Sequence, residues 1–288
     1  MKELPQNFMS YRDHVVEQAR KVQGHLSLRE MRFLCLLGMF PATSGDILEI
    51  GSFRGKSTIA FAKSVQYLNG EQKLHAVDPM ILSSDTDPTY QSTVPLQTEF
   101  IKNLRDHDVE SIVEFHKMRS ADLGKSWNRP LRLLFIDGDH TYPEVKRDLE
   151  TFLPYLNKGA IVAFHDVLNG FDGPVRVMAE QVLLSKQFGS FGFCGSIGWS
   201  QYLGTPREAQ DYWGEKLKCY KKLHRLVPHV LTNKEIKGLD RYIYKLKRSL
   251  ISHQDVVANE WINQVKIFGN GALTKTQNEL KKRALVVE

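Results

Sequence analysis

The chain has 288 residues, of which 42% are hydrophobic and 25% charged. That balance fits a globular protein and excludes a collagen-like or largely disordered one. No apolar run approaches the ~18–20 residues of a membrane-crossing helix, and the opening MKELPQNFMSYRDHVVEQAR has no apolar h-region, so no secretory leader is expected. The three cysteines, Cys35, Cys194 and Cys219, lie far apart without a CxxC pair. They support neither a disulfide framework nor a zinc site, and a reducing, cytoplasmic setting is expected. The net charge of +6 is uneven. From residue 205 onward 17 Lys and Arg face 9 Asp and Glu, while the preceding part carries a net charge of −2. A basic tail can bind phosphates, membrane surfaces or acidic partners, and equally forms an ordinary solvated helix face. Lys216, Lys218, Lys221, Lys222 and Arg225 are the residues that favour a partner-binding role.

In chain order, residues 9–40 read as helices. Ser27-Leu-Arg-Glu30 has the form of a capping box, with a serine oxygen and a glutamate available to the orphan N–H groups of a helix start. From residue 47 short apolar runs alternate with helix-length segments. The runs are 47–50, 74–77, 112–115, 131–136 and 160–164, and the helices between and after them are 57–67, 96–104, 142–156 and 175–186. Runs of four to six apolar residues bounded by turn residues suit buried parallel strands. The alternation predicts a doubly wound α/β sheet with right-handed crossovers. Two further strands, 188–193 and 196–203, joined through Cys194-Gly195, read as a hairpin. The expected fold is therefore a Rossmann-like, mostly parallel seven-stranded sheet ending in an antiparallel hairpin. Residues 1–204 are expected to form one domain with N-terminal helices, and 205–288 a basic, mainly helical appendage. The polar segment 80–95 reads as a lid.

The loop after the first strand, Leu48-Glu-Ile-Gly51-Ser-Phe-Arg-Gly55-Lys-Ser57-Thr, is the default ligand site. Gly51 permits a sharp turn, Gly55 lets the helix begin close to a ligand, and the helix N-terminus offers free N–H groups. Ligands of open α/β sheets bind outside the carboxyl ends of the strands. A phosphate-cradling P-loop needs four residues between its glycines, and here there are three. GxGxxG is absent as well. What remains is acidic-x-Gly-x-x-x-Gly followed by Asp78 at the end of the second strand, where a carboxylate is placed to take ribose hydroxyls.

With LEIGSFRGKSTIAFA (48–62), VDP (77–79), RSAD (119–122), LLFIDGDHTYPEVKRDL (133–149) and GAIVAFHDV (159–167), the sequence resembles the class I S-adenosylmethionine-dependent methyltransferases over about residues 24–204. Within that class it looks most like the macrocin and antibiotic-sugar O-methyltransferases. The resemblance implies that Glu49, Gly51, Ser52 and Ser57 lie along the methionine and ribose part of the cofactor. Asp78 would hold the ribose, and Ser120 would lie near the adenine.

Asp137-Gly-Asp139-His140 closes the fourth strand and His165-Asp166 the fifth. Adjacent strands lie ~4.8 Å apart, so these groups can converge on a divalent cation such as Mg²⁺ or Mn²⁺. The resemblance implies Asp137, His165 and Asp166 as metal ligands, with His165 a departure from the acidic or amide ligand usual there. His140 is the expected base and Asp139 the second candidate. Loss of a hydroxyl proton to a histidine, with a Lewis acid to help, would free an alcohol oxygen to take an activated methyl group. The acceptor is expected to be a small-molecule hydroxyl, such as that of a sugar. N-methylation on the same fold, and a non-catalytic cofactor-binding protein with a basic partner-binding tail, are the alternatives. A homo-oligomer is compatible with the helical N-terminus, and nucleic acid is not an expected partner.

Overall fold

The computed structural model describes residues 4, 6–68, 72–81, 94–232 and 235–268. Most of the predicted 80–95 lid, and the part of the C-terminal helical reading beyond 268, fall outside these residues.

The apolar runs become the central strands. Asp46–Ile50 (β1), Leu74–Val77 (β2), Val113–His116 (β3), Leu131–Ile136 (β4) and Leu156–Phe164 (β5) pair in parallel. Phe188–Cys194 (β6) and Ile197–Tyr202 (β7) form the hairpin, with β7 antiparallel to β5. The order is β3-β2-β1-β4-β5-β7-β6. Every residue of β1, β2 and β4 is buried, because helices cover both faces; this is why the runs are continuous rather than alternating. Alternate β4 residues serve opposite layers, Leu133 and Phe135 facing one and Leu134 and Ile136 the other. The chain winds outward in both directions from β1 and β4, so a crevice opens at their carboxyl ends.

The helices are Phe8–Ala19 (α1), Leu28–Met39 (α2), Lys56–Leu68 (α3), Leu96–Asp106 (α4), Ser120–Gly124 (α5), Tyr142–Phe152 (α6) and Asp172–Arg176 (α7), the last running on as a π-helical stretch through Leu183. Pro206–Ala209 (α8), Trp213–Leu223 (α9), Gly238–Ser249 (α10) and Ala258–Gln264 (α11) follow. The capping box of α2 forms as expected, Ser27 accepting from the Glu30 amide and Glu30 from the Ser27 amide. Arg132 of β4, 3% exposed, donates to the Leu37 and Gly38 carbonyls near the end of α2 at 3.4 and 3.0 Å. This cation satisfies helix carbonyls that lack partners within the helix. The predicted helix 142–156 stops at Phe152, and a 3₁₀ turn (Leu153–Tyr155) leads directly into a longer β5. Pro154 explains this: it has no N–H for the ladder and its ring crowds the preceding turn.

The described residues after 205 pack into both layers. Trp261 meets Phe33, Phe40 and Trp199 at ring-centroid distances of 6.4, 6.0 and 5.6 Å. On the opposite side Leu223, Leu226, Val230, Tyr244 and Ile251 join the β4–β5–α7 layer. Lys216 is fully buried, and its ammonium donates to the Ser185 and Phe188 carbonyls. It thus serves packing and is not available to a partner.

Candidate active site

Gly51 turns the chain at the end of β1 with φ +85°, and a Cβ there would lie 2.1 Å from the Asp137 carbonyl oxygen. No side chain fits that approach. It lets the sheet hydrogen bonding reach into the site: the Gly51 amide donates to Val77 O at 2.9 Å, and the Asp137 amide to Ile50 O at 2.8 Å. Beyond Gly51, Asp78 clamps the loop. One carboxylate oxygen accepts from the Ser52 and Phe53 amides at 2.9 and 3.0 Å, and the other from the Met80 amide at 2.6 Å. Phe53 and Met80 hold positive φ values of 45° and 56°, a strained backbone of the kind that collects at ligand sites. Glu49 lies beneath the loop, fully buried, and accepts from the Thr58 hydroxyl at 2.5 Å. Burial pushes its carboxyl up to about 7; Ser57 and Thr58 hydrogen bonds oppose this and the Asp137 charge adds to it.

A cavity of about 540 Å³ opens above this loop. Its wall contains Gly51, Ser52, Ser57, Asp78 and Ser120 on one side and Asp137, Asp139, His140, His165 and Asp166 on the other. Of the loop residues singled out in the sequence, Glu49 and Gly55 do not line it. The predicted cofactor loop and the predicted acidic cluster therefore share one crevice.

At the acidic end, His165 is 3% exposed and its Nδ1 lies 3.1 Å from Asp137 Oδ1 and 3.3 Å from Asp166 Oδ2. Its Nε2 faces Glu30 Oε2 at 3.9 Å. Burial disfavours charge on this ring, but the two aspartates outweigh it and raise its pKa well above the ordinary value. Asp166 itself is lowered: burial raises it, and the His165 charge and the His140 contact more than reverse that. Asp166 also holds φ at 59°. His140 Nε2 lies 3.1 Å from Asp166 Oδ2, and its ring stacks on Phe171 at 4.2 Å. Burial lowers its pKa, and the Asp166 contact more than compensates. Asp137, His140 and Asp166 bring one ligand atom each within 4.8 Å of one another. Asp139 is exposed and accepts from the Thr141 amide at 2.7 Å, shaping the turn into α6. A second group of ligand-type side chains, His75, Glu114 and His116, sits on β2 and β3 and lines no part of this cavity.

Three residues of the site escape sequence reasoning. Asp148, 5% exposed on α6, lines the cavity and accepts from the Ser120 hydroxyl. Its carboxyl is pushed up to about 7 by burial; the Ser120 hydrogen bond opposes this, and the Glu144 and Asp139 charges add to it. Glu30 keeps its capping box through Oε2 and with Oε1 accepts from the Ser196 amide and hydroxyl, both at 2.7 Å, tying α2 to the hairpin turn. Asn169 donates to Asp166 Oδ1 at 2.6 Å. The i to i+3 spacing of Asp166 and Asn169 was a readable signal; the other two depend on tertiary packing.

A glycine-hinged loop at the end of β1, a clamping acid at the end of β2 and this strand order are the arrangement that the sequence resemblance implied. Residues 48–167 match the family model for a methyltransferase domain. That match covers 120 of the 288 residues and agrees with the sequence resemblance over this stretch. The O-methyltransferase NovP has the same fold, with a TM-score of 0.55 and 14% identity over 68% of this chain and 99% of that one. A Klebsiella pneumoniae protein provisionally assigned as an O-methyltransferase gives 0.50 and 19% identity over 68% and 90%. An uncharacterized mimivirus protein, R132 of Acanthamoeba polyphaga mimivirus, is 26% identical over 120 residues, 41% of this chain and half the length of that relative.

Proposed function

We propose that the chain moves the methyl group of S-adenosylmethionine to a hydroxyl of a small molecule, such as a sugar, with a divalent cation assisting. The observation that carries this reading is the shared crevice: the Gly51–Ser57 loop and Asp78 meet Asp137, His140 and Asp166 across the ends of β1, β4 and β5. In this reading the methionine and ribose portions lie along Gly51, Ser52 and Ser57, above the buried Glu49. Asp78 takes the ribose while it holds the loop, since a carboxylate has about four acceptor sites and three are engaged. The adenine lies toward Ser120 and Asp148.

Two carboxylates and an imidazole form a donor set suited to a divalent cation. Asp137 and Asp166 with His165 would hold Mg²⁺ or Mn²⁺, and the cation would act as a Lewis acid on the acceptor hydroxyl. The chain's own groups do the rest. His140, held by Asp166 and stacked on Phe171, takes the hydroxyl proton, with Asp139 as the second candidate. The freed oxygen forms the new C–O bond as the C–S bond breaks, and the electron pair stays on sulfur to leave neutral S-adenosylhomocysteine. Alignment of oxygen, carbon and sulfur in the crevice supplies much of the acceleration. The N-terminal domain of residues 1–204 carries this chemistry, with 205–288 added to it. A cytoplasmic, homo-oligomeric protein is the setting we favour. No helix among the described residues is long and apolar enough to cross a membrane.

The test is transfer of labelled methyl from S-adenosylmethionine into small molecules of a cell extract, read by mass spectrometry. Label on oxygen, lost with Asp137→Ala and on chelation, is the expected result. Label on nitrogen that survives chelation would replace the hydroxyl reading with N-methylation, because an amine needs no cation to shed a proton.

A further inference from the structure

Beside the donor crevice lies a second cavity of about 510 Å³. The two share Asn169 in their walls, and Asn169 is the residue bonded to Asp166. Glu30 lines the second cavity and faces His165 from behind. Glu30 thus stands between this space and His165 at the acidic end of the site. Its character is basic: Arg29, Lys245, Arg248 and His253 stand around it. Arg29 is answered by Asp255 at 3.6 Å. Lys245 and Arg248, one turn apart on α10, have no carboxylate within ion-pair distance among the described residues. The Arg248 Nε is buried and lacks a hydrogen-bond partner. A buried donor left unpaired is costly, and a ligand oxygen would satisfy it.

We infer that this second cavity holds the anionic end of the methyl acceptor, a phosphate ester of a polyol, so that a hydroxyl of the same molecule passes Asn169 and reaches Asp166 and His140. The inference rests on the donor reading of the neighbouring crevice and adds the substrate class. Two unanswered cations match a phosphomonoester, which carries nearly two charges at neutral pH; a carboxylate would leave one cation unmatched. The phosphate can belong to a free phosphorylated sugar or to a lipid headgroup, because Leu239, Tyr242 and Leu246 are exposed on the same helix.

Calorimetry on the full chain with glucose phosphate and with glucose, and sedimentation with phosphatidylcholine vesicles with and without phosphatidylinositol 4-phosphate, separate these sources. S-adenosylmethionine binding is measured in parallel. Glucose phosphate should bind and glucose should not, with Lys245→Glu and Arg248→Gln each weakening the complex at least about tenfold while donor affinity and melting temperature hold. Sedimentation with phosphatidylinositol 4-phosphate vesicles alone, lost in the same variants, supports the cavity with a lipid as its source. Absence of both, or binding that neither variant changes, overturns the inference. A wild-type chain that ignores S-adenosylmethionine overturns the donor reading, and the acceptor role of this cavity falls with it.

Discussion

Glu49 and Asp78 divide the work of two acids at one loop. Asp78 is committed to three backbone amides, whereas Glu49 is buried with one oxygen unpaired and a pKa pushed up to about 7. A carboxyl whose folded pKa stands above its unfolded value stabilises the fold fully below the unfolded pKa. That stability is lost as pH rises through the folded pKa. The wild type should therefore lose on the order of a few kcal/mol between about pH 4.5 and pH 7, and Glu49→Gln should flatten that part of the curve in thermal melts. The same group should respond to the donor's sulfonium: S-adenosylmethionine should bind more tightly as pH rises through about 7, and neutral S-adenosylhomocysteine should show little such trend. Equal pH dependence for the two ligands would remove Glu49 from the methyl-donor side. The acid at position 49 was legible from its place before Gly51. Its unpaired state was not, since that depends on how tightly α3 closes over β1.

At the scale of elements, the ends of β1 and β4 meet so closely that position 51 tolerates no side chain. Gly51→Ala places a methyl group against the Asp137 carbonyl and should cost more than about 2 kcal/mol, the range of strained-backbone and overpacking variants; chemical denaturation reads this directly. The strands, the hairpin and the α2 capping box were all legible, because burial on both faces leaves apolar runs and Ser27-x-x-Glu30 is a local signal. The double duty of Glu30 was not, because Ser196 lies 166 residues away. Glu30→Gln keeps the shape but removes the charge opposite His165. We expect a small loss of stability, intact donor binding and a fall in kcat; an unchanged kcat would make Glu30 a structural tie alone. The end of helix α6 was read four residues too late, although Pro154, whose missing N–H outweighs the apolar periodicity of the segment, carried the signal.

At the scale of the whole molecule, the described part of the basic C-terminal region packs into the core. A sequence-only reading sees cations and scattered aromatics there, and nothing local tells a buried tryptophan from an exposed one. In the structure Trp261 fills the space between α2 and β7, while α9 and α10 cover the other layer. Trp261→Ala should cost about 3–5 kcal/mol, and removal of residues 205–288 should yield a chain without a cooperative melting transition. A cooperatively folding 1–204 fragment would show the region to be dispensable. The direct test of the central claim is calorimetric titration of S-adenosylmethionine into the wild type and into Asp78→Ala, with melting curves to confirm folding. We expect saturable binding by the wild type, weakened at least about tenfold when Asp78 is lost. No uptake by the wild type, or equal affinity in a folded Asp78→Ala, would contradict the account.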